Sequence, residues 1–170
     1  MEVTPTIIDT IGMSHDKWIE YRKKGIGGSD IGAILGVNPY SSALEVWYDK
    51  TRGVTKEEEN IPAEVGLALE DYLRDKFVQW FKKTNNADIE VVIPTYILRH
   101  PVYDFAMANI DGHFYDPLTK ENAILELKTT NEFGGHKWYG EEMPDSYYLQ
   151  VQWYMGISGY KRAYVAFLVG

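Results

Sequence analysis

Two charged side chains stand inside a segment that otherwise has the composition of a buried β-strand. The segment is AILELKTT, residues 123–130, and alternation along a strand places Glu126 and Lys128 on one face. Leu125 and Leu127 then lie on the opposite face. An acid and a base side by side on a core strand form either a structural ion pair or a catalytic site in which a metal ligand stands beside a fixed positive charge.

A second acidic residue, Asp111, lies in the preceding predicted strand, in NIDGHF, at hairpin distance from Glu126. Two carboxylates and a backbone carbonyl suit a hard cation such as Mg²⁺, which binds few protein ligands and keeps several waters. Such an ion activates water for attack on a phosphodiester, and a neighbouring lysine adds positive charge near the phosphate oxygens. Because adjacent ionised carboxylates repel each other, the pattern predicts a bound cation.

Glu70 interrupts the apolar stripe of a long predicted helix, in the segment GLALEDYL. It is either a solvated residue at the helix edge or a further acidic group that reaches the metal site from the helix. Taken alone, an aspartate followed by Glu-x-Lys is weak evidence for catalysis, because glutamate–lysine pairs are common on strands. The surrounding sequence therefore has to decide between the two interpretations.

A possible anion site lies near Ser29, which follows Gly25, Gly27 and Gly28 at the predicted start of a helix. Free backbone N–H groups and a serine hydroxyl in that position can bind a phosphate. Arg22, seven residues earlier, can make a bidentate contact to the same phosphate. The alternative is that the glycines only form a tight turn between helices and that Arg22 is a surface residue.

The elements that must position these residues follow the order helices, one long helix, three strands, a helix and a strand. Capping residues and apolar periodicity predict helices over residues 14–25, 29–36, 42–53, 61–83 and 146–157. Alternation and β-branched residues predict strands over 89–98, 105–115, 122–130 and 163–169, the last of them central and buried. This order predicts an α/β fold with a central mixed β-sheet flanked by helices.

Length and composition restrict the class of protein. At 170 residues, with 45% apolar and 25% charged residues, the chain is expected to be one globular domain over 1–170. It contains no cysteine, which excludes disulfides and thiolate metal sites. No signal peptide or membrane span is expected. A net charge of −8 disfavours indiscriminate binding to nucleic acid, but it is compatible with a nuclease whose catalytic carboxylates add acidity.

The sequence resembles the YqaJ-type viral recombinase family, which includes the exonuclease of phage lambda, within the PD-(D/E)xK nuclease superfamily. The resemblance covers about residues 18 to 169 and is carried by WIEYRKKGIGGSDIGAILGVNPYSSALEVWYDKTRG, GLALED, ANIDGHF, ILELKTT and YYLQVQWYMGISGYKRAYVAFLV. It implies a restriction-endonuclease-like core. It also implies Mg²⁺-dependent hydrolysis of one strand of linear duplex DNA from the 5′ end, releasing 5′-mononucleotides, with Mn²⁺ able to substitute.

The resemblance also implies roles for the acidic and basic residues of the strands and the long helix. Asp111, Glu126 and the backbone carbonyl of Leu127 would bind the metal ion. Glu70 would be the helical acid of the same metal site, and Lys128 would be the catalytic lysine.

Four further residues match family positions outside that set. Gln150 and Tyr154 fit the Gln-x-x-x-Tyr pattern that lies beside the catalytic site in the family. Arg22 and Ser29 match positions that hold the DNA 5′-phosphate in lambda-type enzymes.

The resemblance further implies partners and a setting. The partners would be double-stranded DNA ends, a single-strand annealing recombination protein and further copies of the chain in a trimeric ring. The setting would be the cytoplasm of a bacterial host, with a phage or prophage origin. Family members usually continue beyond the last strand, so the domain is expected to be C-terminally short relative to the family.

Three alternatives stay open at this stage. A structure-specific endonuclease could use the same core, although a 5′-phosphate pocket at Arg22 and Ser29 favours digestion from ends. A catalytically silent DNA-binding or assembly module has no chemical need for the intact acidic and basic set. A plain α/β domain with a structural ion pair predicts that divalent ions neither bind nor stabilise the protein.

Overall fold

The computed structural model describes residues 4–52, 61–130 and 143–170, which divide into two compact units. The described parts of the first unit are residues 4–52, 94–109 and 143–159. Those of the second are residues 61–93, 110–130 and 160–170. Over these ranges, no helix has both the length and the apolar character needed to cross a bilayer.

In chain order the described ranges hold one strand, four helices, four strands, one helix and a final strand. The predicted order lacked the first strand and one of the four strands that follow the long helix. The helices are α1 (His15–Arg22), α2 (Gly28–Ile34), α3 (Ala43–Thr51), α4 (Ile61–Asn85) and α5 (Asp145–Ser158). The strands are β1 (Thr6–Asp9), β2 (Tyr96–Arg99), β3 (Met107–Ala108), β4 (Gly112–Asp116), β5 (Glu121–Thr130) and β6 (Arg162–Val169). The prediction of an α/β fold is therefore confirmed.

Local capping explains where several helices begin and end. Ser14 caps α1 by accepting the Lys17 N–H at 3.4 Å. Ser42 and Glu45 form the predicted reciprocal cap of α3, with the Ser42 N–H donating to Glu45 Oε2 at 2.6 Å. Asn86, with a φ of 50°, ends α4 in the left-handed region. The predicted end of the third helix at residue 53 lies outside the described residues.

In the second unit, β5 is the middle strand of a mixed sheet and pairs antiparallel with β4 and parallel with β6. One face of the sheet packs against α4. The buried core there consists of Leu73, Phe77, Phe81, Phe114, Ala123, Leu125 and Leu127. The α4 residues in this core recur every four positions, which places them on one side of the helix. Glu126 lies within this middle strand and is only 1% exposed.

The structure corrects three strand predictions and adds one strand. Residues 89–98 form no single strand, since only a bridge at Val92 precedes β2, and Pro94 between them has no N–H for a ladder. Residues 105–115 are divided into β3 and β4, which belong to different sheets. The last strand, β6, lies at the edge of its described sheet and is only partly buried, not central. The sequence did not predict β1, which pairs with β2 in the first unit.

A buried carboxylate closes the turn between β4 and β5. Asp116 is 0% exposed and accepts hydrogen bonds from the Tyr164 hydroxyl and the Leu118 N–H, both at 2.8 Å. Burial by itself raises the pKa of Asp116, but these hydrogen bonds outweigh it and hold the pKa below its ordinary value. The ionised form is therefore the one that the folded chain favours.

Asp116→Asn is expected to lower the free energy of unfolding at pH 7 by about 1–3 kcal/mol, because a charged acceptor is lost from a buried network. A carboxyl whose folded pKa is depressed stabilises above its unfolded pKa of about 3.9 and loses that contribution as pH falls through the folded pKa. The difference in the free energy of unfolding between Asp116→Asn and the unsubstituted chain should therefore be largest at pH 7 and shrink below about pH 4.

Urea unfolding at several pH values measures this difference. Asp88→Asn serves as the matched control, since Asp88 pairs with Lys82 at an exposed position and should change stability by less than about 0.5 kcal/mol. A difference for Asp116→Asn that stays the same at pH 3 as at pH 7 would contradict the role given to its charge.

Candidate active site

The carboxylate of Asp111 is fixed at the point where β4 begins alongside β5. The ladder between these strands starts with the pair Gly112 and Leu125. One position earlier, Asp111 Oδ2 accepts the backbone N–H of Leu127 at 2.8 Å. The Asp111 side chain thus accepts a β5 backbone N–H next to the end of the β4–β5 ladder, and this hydrogen bond holds its carboxylate beside β5. Sequence spacing predicted the neighbourhood of these strands but not this hydrogen bond.

Glu126 and Lys128 form the pair that the alternation of β5 predicted. Glu126 is only 1% exposed, and Lys128 Nζ donates a hydrogen bond to Glu126 Oε1. The lysine is the more accessible partner, with a side chain that is 20% exposed. A nearly inaccessible glutamate on a middle strand is costly unless positive charge compensates it, and Lys128 supplies part of that charge.

Three carboxyl groups of the second unit have raised pKa values. Burial raises the pKa of Glu126 to about 8, and the Asp111 charge adds to the shift, against an opposing effect of Lys128. Burial also raises the pKa of Asp111, although Lys128 and the Leu127 N–H counteract it. The pKa of Glu70 is raised by burial and by the Asp111 charge. Glu70 therefore belongs to the same electrostatic cluster as the strand carboxylates.

Arg74 is a member of this cluster that the sequence analysis missed. Its side chain is nearly buried, with 8% of the residue exposed, and its charge lowers the pKa of both Glu70 and Asp111. It also pairs with Asp71 on the same helix. A spacing of four residues puts Arg74 on the Glu70 side of α4, and that spacing was the available signal. The cluster thus holds three acidic and two basic side chains.

The oxygen-rich donors of this cluster fit a hard divalent cation. Asp111 offers a partly buried carboxylate and Glu126 a buried one, and the Leu127 carbonyl is a candidate third oxygen. Among the described residues, no three Asp, Glu or His side chains are grouped closely enough to enclose an ion by themselves. Mg²⁺ commonly binds proteins through one or two carboxylates and keeps several of its waters. A divalent charge would also offset the burial that raises the pKa of both carboxyls.

A separate small cavity lies within the first unit. Its polar lining consists of Arg22, Ser29, Lys50, Asn109 and Tyr154. An Arg22 guanidinium nitrogen donates to Ser29 Oγ at 3.5 Å, so the two predicted phosphate ligands do come together. The Trp18 ring supports the guanidinium, which lies 4.7 Å from its centroid. The sequence analysis did not single out Lys50 or Asn109.

The glycines before Ser29 serve packing in the first unit. A Cβ added to Gly28 would lie 2.4 Å from Tyr154 Cε1 and 2.9 Å from Gln150 Cγ on α5. Gln150 and Tyr154 are both buried, and Gln150 Nε2 donates to the Tyr154 hydroxyl at 3.0 Å. Arg22 and Lys50 contribute the positively charged side chains of the cavity lining.

The predicted site residues fall into two groups. Those assigned to metal binding and hydrolysis lie in the second unit: Glu70, Asp111, Glu126, Leu127 and Lys128. Those assigned to the 5′-phosphate and to the Gln-x-x-x-Tyr pattern lie in the first unit: Arg22, Ser29, Gln150 and Tyr154. Each group is assembled within its own unit, while the roles of its members stay predictions.

Comparison with known proteins adds three findings. A family model described as the YqaJ-like viral recombinase domain matches residues 17–161. The YqaJ protein of Bacillus subtilis (strain 168) is 41% identical over 162 residues, which is 93% of this chain and 47% of that protein. The chain therefore spans about half the length of this curated relative.

Crystal structures of an alkaline exonuclease (LHK-Exo) from Laribacter hongkongensis share the fold. One has a TM-score of 0.67 at 18% identity and covers 91% of this chain and 74% of that chain. A second, in complex with dAMP, has a TM-score of 0.64 at 19% identity over 91% and 73% of the two chains. This similarity confirms the predicted restriction-endonuclease-like core.

Proposed function

The chain belongs to the YqaJ-like viral recombinase domain family, and we propose that it is a metal-dependent deoxyribonuclease acting on linear duplex DNA. It would degrade one strand from the 5′ end and release 5′-mononucleotides, for homologous recombination by strand annealing. The observation that carries the proposal is the set of Asp111, the buried Glu126 and the partly exposed Lys128 where the β4–β5 pairing begins. Withdrawing these charged groups from water costs free energy, which a purely structural sheet would avoid by using apolar residues.

The residues of the second unit suit hydrolysis of a phosphodiester. A bound Mg²⁺, or Mn²⁺ in its place, would supply the charge that activates water and stabilises the reacting phosphate. Asp111, Glu126 and the Leu127 carbonyl would hold it. Lys128 keeps a positive charge next to Glu126, where it would stabilise negative charge that develops on phosphate oxygens. Glu70 adds negative charge to the cluster, and Arg74 limits the repulsion between the acids.

The cavity of the first unit suits a terminal phosphate. Arg22 and Ser29 present a guanidinium group and a hydroxyl within 3.5 Å of each other, and Lys50 adds a second cation to the lining. A guanidinium fork matches the geometry of phosphate oxygens. A terminal phosphate pocket explains action from a DNA end, because an internal phosphodiester has no free phosphomonoester to enter it.

The first experiment is a cleavage assay on linear duplex DNA labelled at the 5′ or the 3′ end, in Mg²⁺ or in EDTA, with a circular duplex as control. We expect Mg²⁺-dependent loss of linear DNA from its 5′ ends, with the circle spared. Cutting of the circle would replace this proposal with an endonuclease on the same core. A well-folded protein that cuts neither substrate would favour a DNA-binding or assembly module.

Arg22→Ala is expected to reduce digestion of 5′-phosphorylated ends about 10- to 100-fold, the effect of losing a charge-assisted contact. Digestion of 5′-hydroxyl ends should change much less, since the phosphate is already absent. The measurement is the ratio of the initial rates on the two substrates. Arg52→Ala is the matched control, because Arg52 covers the Tyr48 ring and is absent from the cavity lining. Equal losses on both substrates would argue against a phosphate pocket.

We extend the proposal to partners and setting on the basis of family membership. The chain would act on double-stranded DNA ends and hand its 3′ overhang to a single-strand annealing protein, in the cytoplasm of a bacterium that carries phage genes. A trimeric ring is the oligomer to look for, and light scattering of the purified protein measures it.

A further inference from the structure

Lys50 connects three elements of the first unit at the wall of the Arg22 cavity. Its Nζ lies 2.8 Å from Asp30 Oδ2 and donates to the Arg22 carbonyl at 3.4 Å. Asp30 Oδ2 in turn accepts the Gly27 N–H at 2.7 Å. The lysine on α3 therefore holds the end of α1, through Arg22, and the start of α2, through Asp30.

The Lys50–Asp30 pair is better shielded from water than an ordinary surface ion pair. The side chains of Lys50 and Asp30 are 14% and 15% exposed. Exposed ion pairs contribute little to stability, whereas withdrawn charges depend strongly on their partners. If Lys50 were uncharged, the Asp30 carboxylate would stay in place through its bond to Gly27, beside a cavity that is proposed to take an anion.

The charges around the cavity make this dependence specific. Arg22 and Lys50 line it as cations, and Asp30 lies directly behind Lys50 as an anion. Lys50 Nζ also lies 3.8 Å from Asp49 Oδ2, but Asp49 pairs with Lys23 at 3.3 Å, so that second pair is neutral with or without Lys50. Arg22, Lys50 and Asp30 together carry one positive charge, whereas Arg22 and Asp30 without Lys50 carry none. The carboxylate would then act on the phosphate across a region of low solvent exposure, where the repulsion between like charges is poorly screened.

We propose that Lys50 is a positioning residue that sets the preference for 5′-phosphorylated ends, by neutralising Asp30 and holding the main chain of Arg22. The inference rests on the proposed function and goes beyond it, because Lys50 acts on the phosphate through Asp30 rather than as its main ligand. The ligand class is a phosphomonoester at a nucleic-acid terminus.

The test measures binding without cleavage. Fluorescence anisotropy in Ca²⁺ compares duplexes that differ only in a 5′-phosphate or a 5′-hydroxyl, and the ratio of the two Kd values gives the phosphate preference. Lys50→Met should reduce this preference about tenfold, the effect of one unfavourable charge. Asp30→Asn keeps an acceptor for the Gly27 N–H and should retain the preference.

The decisive variant combines both changes. Lys50→Met with Asp30→Asn removes the pair without leaving an unpaired carboxylate, so the preference should return to within about threefold of the unsubstituted protein. A merely structural role for Lys50 would not produce this recovery. Lys24→Met is the control, because Lys24 pairs with Glu20 at an exposed position and does not line the cavity.

Three results would overturn the proposed role of Lys50. An unchanged preference in Lys50→Met, or a double variant as weak as the single one, would overturn the role of Asp30 neutralisation while leaving the nuclease proposal standing. An unsubstituted protein that ignores the 5′-phosphate would overturn the end-directed function and this inference together. If Lys50→Met melts below the assay temperature, Lys50→Gln replaces it, since its amide can donate to Asp30 without a charge.

Discussion

Lys128→Met is expected to slow cleavage of linear duplex DNA by about 100-fold or more, the usual effect of removing one preorganised stabiliser of transition-state charge. The reason is the position of its ammonium group, which is hydrogen bonded to the buried Glu126 at the carboxylate cluster. Methionine keeps the length and apolar volume of the stem. The loss should therefore appear in kcat and leave substrate binding nearly unchanged.

Single-turnover cleavage of an end-labelled duplex gives the rate, and Mg²⁺-dependent melting reports whether the ion still binds. We expect the variant to retain stabilisation by Mg²⁺, since its carboxylates remain. Lys82→Met is the control in the same unit, because Lys82 forms an exposed pair with Asp88. A Lys128→Met protein that cleaves at the full rate would mean that the Glu126–Lys128 pair is structural.

Glu126→Gln is expected to lose both cleavage and stabilisation by divalent ions. Glutamine has nearly the same shape, so the sheet should form, but a neutral amide is a poor ligand for a hard cation. The rate should fall by about 1,000-fold or more, because the ion and its positioning are lost together. The unsubstituted protein should gain about 2.7 kcal/mol at a Mg²⁺ concentration 100 times the Kd, and the variant should gain almost nothing.

Thermal unfolding with and without Mg²⁺ measures this stabilisation, and the same samples serve for cleavage. Glu121→Gln provides the control, since Glu121 begins the same strand at an exposed position. A Glu126→Gln variant that Mg²⁺ stabilises as strongly as the unsubstituted protein would place the cation elsewhere. Taken with Lys128→Met, the experiment separates the residue that binds the ion from the one that adds charge beside it.

The expected difference between the two variants follows from the geometry of one strand. Positions 126 and 128 share a face of β5, but Glu126 is inaccessible and Lys128 is partly exposed. A buried carboxyl group is stabilised by protonation, by hydrogen bonds or by a nearby cation, whereas a partly exposed ammonium group can meet substrate. Because burial raises the pKa of Glu126, a divalent ion that binds beside this carboxylate would strongly stabilise the folded protein.

The sequence by itself determined the features that depend on near neighbours along the chain. Alternation put Glu126 and Lys128 on one face of β5, and the Ser42–Glu45 spacing marked the start of α3. Both follow from the fixed periodicity of strands and helix caps, which needs no knowledge of the rest of the fold. The place of Asp111 in the preceding predicted strand made it a candidate partner for this pair, and the strand pairing placed its carboxylate at the Leu127 N–H.

The tertiary structure decided the contacts between residues that are far apart in sequence. The charge of Arg74 on α4 acts on Asp111, Lys50 on α3 reaches Asp30, and Tyr164 on β6 donates to Asp116. Each contact depends on how two elements pack, which local periodicity does not encode. Likewise β6 is apolar enough for a central strand but lies at the sheet edge, because hydrophobicity records burial by any neighbour and not the order of strands.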